Sequence, residues 1–314
     1  MIRPWCKPGK RPCSHPSFRC SQEFTVETRP TQTLEDEFCD IIKKARCGQG
    51  YTVSDLARLT GLTTSEIQHL EHGARLPTSQ EIRRIGHALG LNCRALEDIV
   101  LHGWHPDPLP GWLSHQVIEV DGSIGGYAVK GYVLYDAIAG AALCIDTAYN
   151  APAMLEVLER QALRLLGICL THGHADHAGG LDRILQRWPV PVYLGRGDWS
   201  LLPWKPAMKC LHDPADGESL QVGTLTVRFL VTPGHTPGGL CYYVTNGGKN
   251  PPVCFVGDTL FAGSIGRANP FSLYSAHLTS VRHRVLGLPR ETVLLPGHGP
   301  GTTVEQEIQH NPFV

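Results

Sequence analysis

Six consecutive residues, His172-Gly173-His174-Ala175-Asp176-His177, hold three imidazoles and a carboxylate and directly follow the apolar run Leu165-Leu166-Gly167-Ile168-Cys169-Leu170. A short apolar run bounded in this way reads as a strand, so the cluster stands where a strand leaves its sheet. In an extended segment residues two apart point to one side, which lets His172, His174 and Asp176 converge while His177 starts the next element at another angle. With 16 histidines in 314 residues some clustering arises by chance, and a lone surface histidine is usually only solvated. The His-x-His-x-Asp-His spacing is instead that of one short loop serving two adjacent metal ions.

Three later segments repeat the pattern. Val231-Thr232-Pro233-Gly234-His235, Phe255-Val256-Gly257-Asp258 and Leu294-Leu295-Pro296-Gly297-His298 each end a short apolar run on a metal-capable side chain. Strands that deliver ligands to one shared edge fit the usual placement of function on loops of a rigid scaffold. The expected ligands are His172, His174, Asp176, His177, His235, Asp258 and His298. Imidazole and carboxylate without thiolate suit Zn, Fe or Mn, and so many ligands exceed one tetrahedral ion but are enough for two with an open position. Two divalent ions are expected, with Zn the default.

On these motifs, together with Gly257-Asp258-Thr259-Leu260-Phe261, Gly263-Ser264-Ile265-Gly266-Arg267, Pro296-Gly297-His298-Gly299-Pro300 and Asn311-Pro312-Phe313, the chain from about Trp112 onward resembles the metallo-β-lactamase-fold hydrolases, closest to their glyoxalase II-like branch. The resemblance implies that His172, His174 and His235 hold one ion, that Asp176, His177 and His298 hold the other, and that Asp258 bridges them. Two cations about 3.5–4 Å apart need such an anionic bridge, and metal binding lowers the pKa of water from about 15.7 toward about 7. The expected reaction is hydrolysis of a thioester, hydroxyacylglutathione-like, or a related ester by a metal-bridging hydroxide, with Asp176 orienting it and passing its proton to the leaving group. Asp146 also ends an apolar run; it holds a ligand histidine from behind, as the resemblance implies, or is a solvated turn aspartate. Arg267 meets an anionic substrate group or forms a surface ion pair. The pattern departs at Asn269, where relatives often carry an acidic residue.

The fold expected for residues 113–314 is an α/β, αββα sandwich. Strands are expected near 116–121, 126–134, 141–145, 165–170, 191–194, 225–231, 239–244, 253–257 and 292–295, with outer helices over 153–162, 178–188 and 273–285. The enzymatic alternative is a persulfide dioxygenase with one iron on His172, His235 and Asp258. A β-lactamase is disfavoured by the bridging carboxylate. Only 16 residues follow His298, so the helical region that binds glutathione in full-length glyoxalase II relatives is not expected.

Ahead of this part the periodicity changes. Residues 103–112, with His105-Pro106-Asp107-Pro108-Leu109-Pro110-Gly111, read as a Pro-rich linker. Before it, Leu34, Phe38, Ile41 and Ile42, then Val53, Leu56 and Leu59, Ile67 and Leu70, and Ile82, Ile85 and Leu89 recur at helical spacing. Residues 32–102 are expected to form four or five short helices. Through Asp55-Leu56-Ala57-Arg58, Gly61-Leu62-Thr63, Ile67, Leu70-Glu71, Gly73, Pro77 and Ala88-Leu89-Gly90 they resemble a phage-repressor-type helix-turn-helix domain. That resemblance implies DNA contact by Thr63, Thr64, Ser65, Gln68 and His69. Residues 32–102 carry 8 basic against 10 acidic side chains, where phosphate binding favours a basic face. The alternative is a dimerisation or protein-contact module, and a different class again is a metabolite-sensing transcriptional regulator.

Residues 1–31 hold Cys6, Cys13, Cys20 and His15, with 6 basic and 2 acidic side chains; a flexible tail, a basic arm for nucleic acid and a metal site are the readings, the first preferred. The net charge of −1 gives no global pull toward nucleic acid or membrane. No segment reads as membrane-spanning and no signal run is present, so a cytoplasmic protein with its 11 cysteines as reduced thiols is expected. Its expected partners are a small-molecule substrate, DNA through residues 32–102 and, for a contact module, a second copy of the chain.

Overall fold

A computed structural model describes residues 33–314, so the Cys6, Cys13, Cys20 and His15 segment lies outside the described residues. Five helices come first: α1 (Phe38–Gly48), α2 (Val53–Thr60), α3 (Thr64–Glu71), α4 (Ser79–Leu89) and α5 (Cys93–His102). Three of them start by one rule. Thr52, Thr63 and Thr78 each accept from the backbone N–H three residues on, where Asp55, Glu66 and Glu81 reach back to the cap. Such boxes satisfy helix N–H groups that have no partner within the helix. Gly61, at φ +68, ends α2 in the left-handed region and turns the chain into α3. Inside the bundle the Arg46 guanidinium donates to Glu71 Oε2 (2.8 Å) and to the Tyr51 carbonyl (2.8 Å), tying α1 to α3.

The rest of the chain builds two sheets. After a 3-10 turn at Gly111–His115, the first sheet takes β1 (Val117–Ile124), β2 (Tyr127–Asp136), β3 (Ala141–Ile145), then α6 (Ala151–Arg160), β4 (Arg164–Cys169), α7 (Ala175–Ala178), α8 (Leu181–Arg187), β5 (Val192–Tyr193) and β6 (Leu211–His212). Its strand order is β1-β2-β3-β4-β5-β6. The second sheet takes β7 (Ser219–Val222), β8 (Leu225–Val231), β9 (Leu240–Thr245), β10 (Val253–Gly257), α9 (Tyr274–Thr279) running into a π-helical stretch at Ser280–Val285, β11 (Val293–Pro296), β12 (Thr302–Thr303) and α10 (Val304–His310), in the order β12-β11-β10-β9-β8-β7.

Alternation along the strands sorts the core into layers. Leu143, Ile145, Val227, Phe229, Tyr242, Phe255, Val293 and Leu295 fill the space between the sheets. Ala142, Cys144, Ile168 and Leu170 face outward, under α6 and α8. On the far side Leu230, Cys241, Tyr243, Cys254, Val256 and Leu294 form one continuous cluster with Tyr274, Val281, Val285, Val304 and Phe313, and equally with Phe38, Ile41, Ile42, Leu56, Ile67, Ile85 and Leu96. The five N-terminal helices are therefore part of the outer layer of the second sheet. Polar contacts join the same parts: Asn92 N–H donates to the Pro312 carbonyl (2.7 Å), Trp104 stacks on His310 (4.8 Å between centroids), and in the Pro-rich segment Asp107 N–H donates to Gln306 Oε1 (2.9 Å).

The αββα sandwich and the helical start agree with expectation. β6, β7, β12 and α10 lie outside the expected elements: β6 and β12 have two residues each, too few for a period, and β7 is a four-residue alternation of polar and apolar side chains. The helix expected over 178–188 is divided at Gly179-Gly180 into α7 and α8. The cysteines among the described residues are free thiols, and among those residues no helix is long and apolar enough to cross a membrane.

Glu307, fully buried on α10, accepts from Thr302 Oγ1 (2.8 Å), Asn311 Nδ2 (2.8 Å) and Gly263 N–H (3.1 Å). Burial outweighs these donors and pushes its carboxyl up to about 7 from an ordinary 4.5. A folded value above the unfolded one means that its stabilising contribution is complete below about pH 4.5 and is lost as pH rises through about 7. The melting temperature should therefore fall between about pH 5 and 8, and fall less steeply in Glu307→Gln. Parallel melting curves for the two proteins across that window would remove Glu307 as the cause.

Candidate metal centre

Strand direction decides which loops meet. β3 and β4 are parallel, and so are β10 and β11; β8 and β10 each run antiparallel to the intervening β9 and hence share one direction. The residues just beyond these strands are Asp146, His172, Asp258, His298 and the Thr232–His235 turn, and they gather at one edge of the sandwich. The potential ligand atoms fall into three overlapping groups, His172/His174/His235, His172/His177/Asp258 and Asp176/His177/His298, each with atoms within 4.8 Å of one another. All seven side chains expected from the sequence are in this cluster. One local expectation is corrected: Asp176 does not converge with His172 and His174. His174 is the extended N-cap of α7, so the period changes from 2 to 3.6 immediately after it and Asp176 turns to the His298 side, its Oδ2 3.5 Å from His298 Nε2.

The spacing tests whether a metal would fit. Bonds of about 2.0–2.1 Å in a tetrahedron put ligand atoms about 3.3 Å apart. Here His174 Nδ1 lies 3.1 Å from His235 Nε2, His177 Nε2 3.4 Å from His298 Nε2 and 3.3 Å from Asp258 Oδ1, and His235 Nε2 3.5 Å from Asp258 Oδ2. His172 Nε2 and Asp258 Oδ1 are buried without a hydrogen-bond partner among the described residues, an arrangement that is costly unless something else binds them. Gly297 keeps this space open: a Cβ there would stand 2.3 Å from His177 Cε1 and 2.6 Å from Asp258 Oδ1.

The outward nitrogen of four histidines is held. His235 Nδ1 donates to the Arg267 carbonyl (2.8 Å) and His298 Nδ1 to the Ala128 carbonyl (2.6 Å), which leaves each Nε2 lone pair aimed inward. Asp146, buried at a φ of +53, receives Thr171 N–H (2.7 Å) and Thr171 Oγ1 (2.8 Å) and lies 2.8 Å from His177 Nδ1. Since the Thr171 hydroxyl proton goes to Asp146, its oxygen must accept from His172 Nδ1, 3.1 Å away. Asp146 is thus no solvated turn residue. Arg267 has an exposed side chain, and its contact with the centre is through its carbonyl.

Electrostatics point the same way. Burial, followed by the neighbouring imidazoles, holds His172 well below its ordinary pKa, and burial lowers His235 to about 4. Burial also opposes the charged form of His177 and His298, but Asp258 first, then Asp146 for His177 and Asp176 for His298, outweigh it. His177 is held well above its ordinary value and His298 is pushed up to about 9. Asp258 is well below the usual carboxylate range, because His177 and His298 overcome the cost of its burial. The centre asks for positive charge at its carboxylates, where His177 and His298 hold protons that a cation would displace, and offers free lone pairs at His172 and His235, two demands that divalent cations meet together.

Asp198, which carries no motif signal, links the ligand loops from behind. Fully buried in the turn Arg196–Asp198, it accepts from Gly173 N–H (3.1 Å), Thr236 Oγ1 (2.6 Å) and Gly238 N–H (2.7 Å). Outside this cluster, Thr64, Ser65, Gln68 and His69 are exposed on α3, and Thr63 is exposed at its cap, with its hydroxyl engaged by Glu66.

Comparison with known proteins agrees with this geometry. Residues 127–298 match the family model of the metallo-beta-lactamase superfamily, and residues 42–96 match that of helix-turn-helix. The chain is 36% identical over 189 residues to the probable metallo-hydrolase YqgX of Bacillus subtilis, covering 55% of this chain and 86% of that protein. It is 30% identical to the hydroxyacylglutathione hydrolase GloC of Haemophilus influenzae, covering 55% and 87%. Among solved structures, the BLEG-1 B3 metallo-beta-lactamase is 33% identical with a TM-score of 0.54, covering 62% of this chain and 99% of that one. TTHA1623 in a di-iron-bound form is 29% identical with a TM-score of 0.53, covering 63% and 100%. With half the chain matched and the histidine and aspartate cluster assembled at the sheet edge, the chain belongs to the metallo-β-lactamase superfamily and carries a helix-turn-helix segment ahead of that domain.

Proposed function

We propose that the protein is a dinuclear metal-dependent hydrolase of the thioester or related ester class. In this reading His172, His174 and His235 hold one ion, Asp176, His177 and His298 hold the other, and Asp258 serves both. The observation that carries it is the group His172/His177/Asp258, which shares His172 with one triad and His177 with the other, with His172 Nε2 and Asp258 Oδ1 left unpartnered among the described residues. The second group supports two ions over the one-iron arrangement of a persulfide dioxygenase. Bound there, divalent cations supply Lewis acidity and lower the pKa of coordinated water. Zn is the proposed metal, with iron as the second reading on the di-iron form of TTHA1623.

The chain's own groups do the rest. Asp146, Thr171 and the Arg267 and Ala128 carbonyls fix the imidazoles in one tautomer each. Asp176, half-buried beside His298, is the carboxylate placed to orient water and to hand a proton to a leaving thiol or alcohol. The name of GloC supports a thioester, and that of BLEG-1 makes a β-lactam the comparison substrate. Metal-loaded protein should hydrolyse a hydroxyacyl thioester faster than a β-lactam and lose that rate to a chelator. One iron per chain with persulfide-dependent oxygen uptake, or turnover of the β-lactam alone, would overturn this assignment.

For the N-terminal helices the proposed partner is DNA, met by Thr63, Thr64, Ser65, Gln68 and His69 from α3. Their exposure and the helix-turn-helix match support it.

A further inference from the structure

The wall of the centre beside His298 is partly made by the segment that leads into α1. Gly299, at φ +69, lies against Glu35: a Cβ on that glycine would stand 3.1 Å from Glu35 N and 3.2 Å from Glu35 Cβ. The next residue locks this approach. Asp36, buried, accepts from Ser264 Oγ (2.5 Å) and from the Lys44 ammonium, which also donates to the Ile265 carbonyl (2.8 Å). Ser264 and Ile265 belong to the loop that leaves Asp258 and reaches Arg267, the residue whose carbonyl holds His235. Lys44 Nζ stands 5.0 Å from the centroid of the Phe261 ring, and that ring meets His298 at right angles, 5.7 Å between centroids.

The backbone of Glu35 is therefore held at the His298 edge while its charge remains unspent. The residue as a whole is exposed, and among the described residues its carboxylate has no hydrogen bond or ion pair. The Lys44 ammonium is already engaged by Asp36. The charges that act on Glu35 are those of His298, Asp36, Asp258 and Lys44, and its carboxyl is sheltered enough that burial, the leading cause, raises its pKa.

We propose that Glu35, carried by the helical part of the chain, is a specificity-determining residue of the hydrolytic site: it disfavours substrates with an anionic group toward the His298 edge and favours neutral or ammonium-bearing ones. This rests on the hydrolase reading above. A fixed charge at this range acts through water and protein together, so its effect is carried by KM and weakens with salt.

The test compares holoenzyme, Glu35→Gln and Glu35→Lys on two thioesters of one acyl group, one with thiocholine, whose quaternary nitrogen cannot take the acyl group, and one with 3-mercaptopropionate as leaving thiol. The cationic-to-anionic ratio of kcat/KM should drop roughly three- to tenfold in Glu35→Gln and further in Glu35→Lys, with kcat little changed and the difference shrinking at high salt. Calorimetry with the S-methyl thioethers of the same thiols, which cannot be hydrolysed, should show the affinity ratio moving in the same direction. If neither thioester is turned over, the hydrolase reading falls and the thioether ratio still decides on Glu35. An unchanged affinity ratio, or no binding of either thioether, overturns the assignment.

Discussion

Replacing Asp258 by Asn should leave a folded protein that binds one metal ion or fewer per chain and has lost turnover by on the order of 10²–10³-fold or more. Among the described residues, Asp258 is the carboxylate with oxygens near both sets of imidazoles, 3.5 Å from His235 Nε2 on one side and 3.3 and 3.7 Å from His177 and His298 Nε2 on the other. Asparagine keeps the shape and removes the negative charge that offsets repulsion between two cations. The six other proposed ligands remain, so a single ion could still be held. Elemental analysis beside steady-state rates reads the outcome, and a variant that kept two ions and most of its rate would refute the bridging role.

The second large effect is expected from a residue that touches no metal. In Asp198→Ala, Gly173 N–H, Gly238 N–H and Thr236 Oγ1 lose their acceptor in a buried place. At about 1–3 kcal/mol for each orphaned group, the fold should lose several kcal/mol. Gly173 lies between His172 and His174, and Thr236 adjoins His235, so the three imidazoles of one triad lose their common brace. Metal affinity there should fall about 10–100-fold, the usual cost of removing support behind a ligand. Asp198→Asn, which keeps one acceptor oxygen, should lie between. Thermal melting and metal titration measure the two effects separately, and wild-type values for both in Asp198→Ala would show that the brace is redundant.

The contrast between Asp258 and Asp198 explains what could be read from the chain before its fold was known. Each of the seven clustered side chains stands at or just past the end of an apolar run, so strand periodicity and ligand chemistry point to the same positions. Asp198 follows a strand of two residues, Val192–Tyr193, and has no spacing relation to the loops it joins. The carbonyls of Arg267 and Ala128 are hidden for a deeper reason: every residue has one, and only the fold decides which of them meets an imidazole. Asp176 shows the limit of periodicity itself, since the strand rule holds through His174 and the helix rule begins one residue later. The Pro-rich run before Trp112 reads as a spacer because its own composition is irregular, whereas the packing that holds the flanking parts together comes from α9, α10 and the outer face of the second sheet.

That packing has a geometrical consequence. The five N-terminal helices do not hang from the catalytic body on a tether; they share its interior through Phe38, Ile41, Ile85 and Leu96 against Tyr274, Val285 and Phe313. A duplex gripped by α3 would hold the hydrolytic opening at one bearing and one height above the groove, so recognition and chemistry would be oriented like two tools on a single handle.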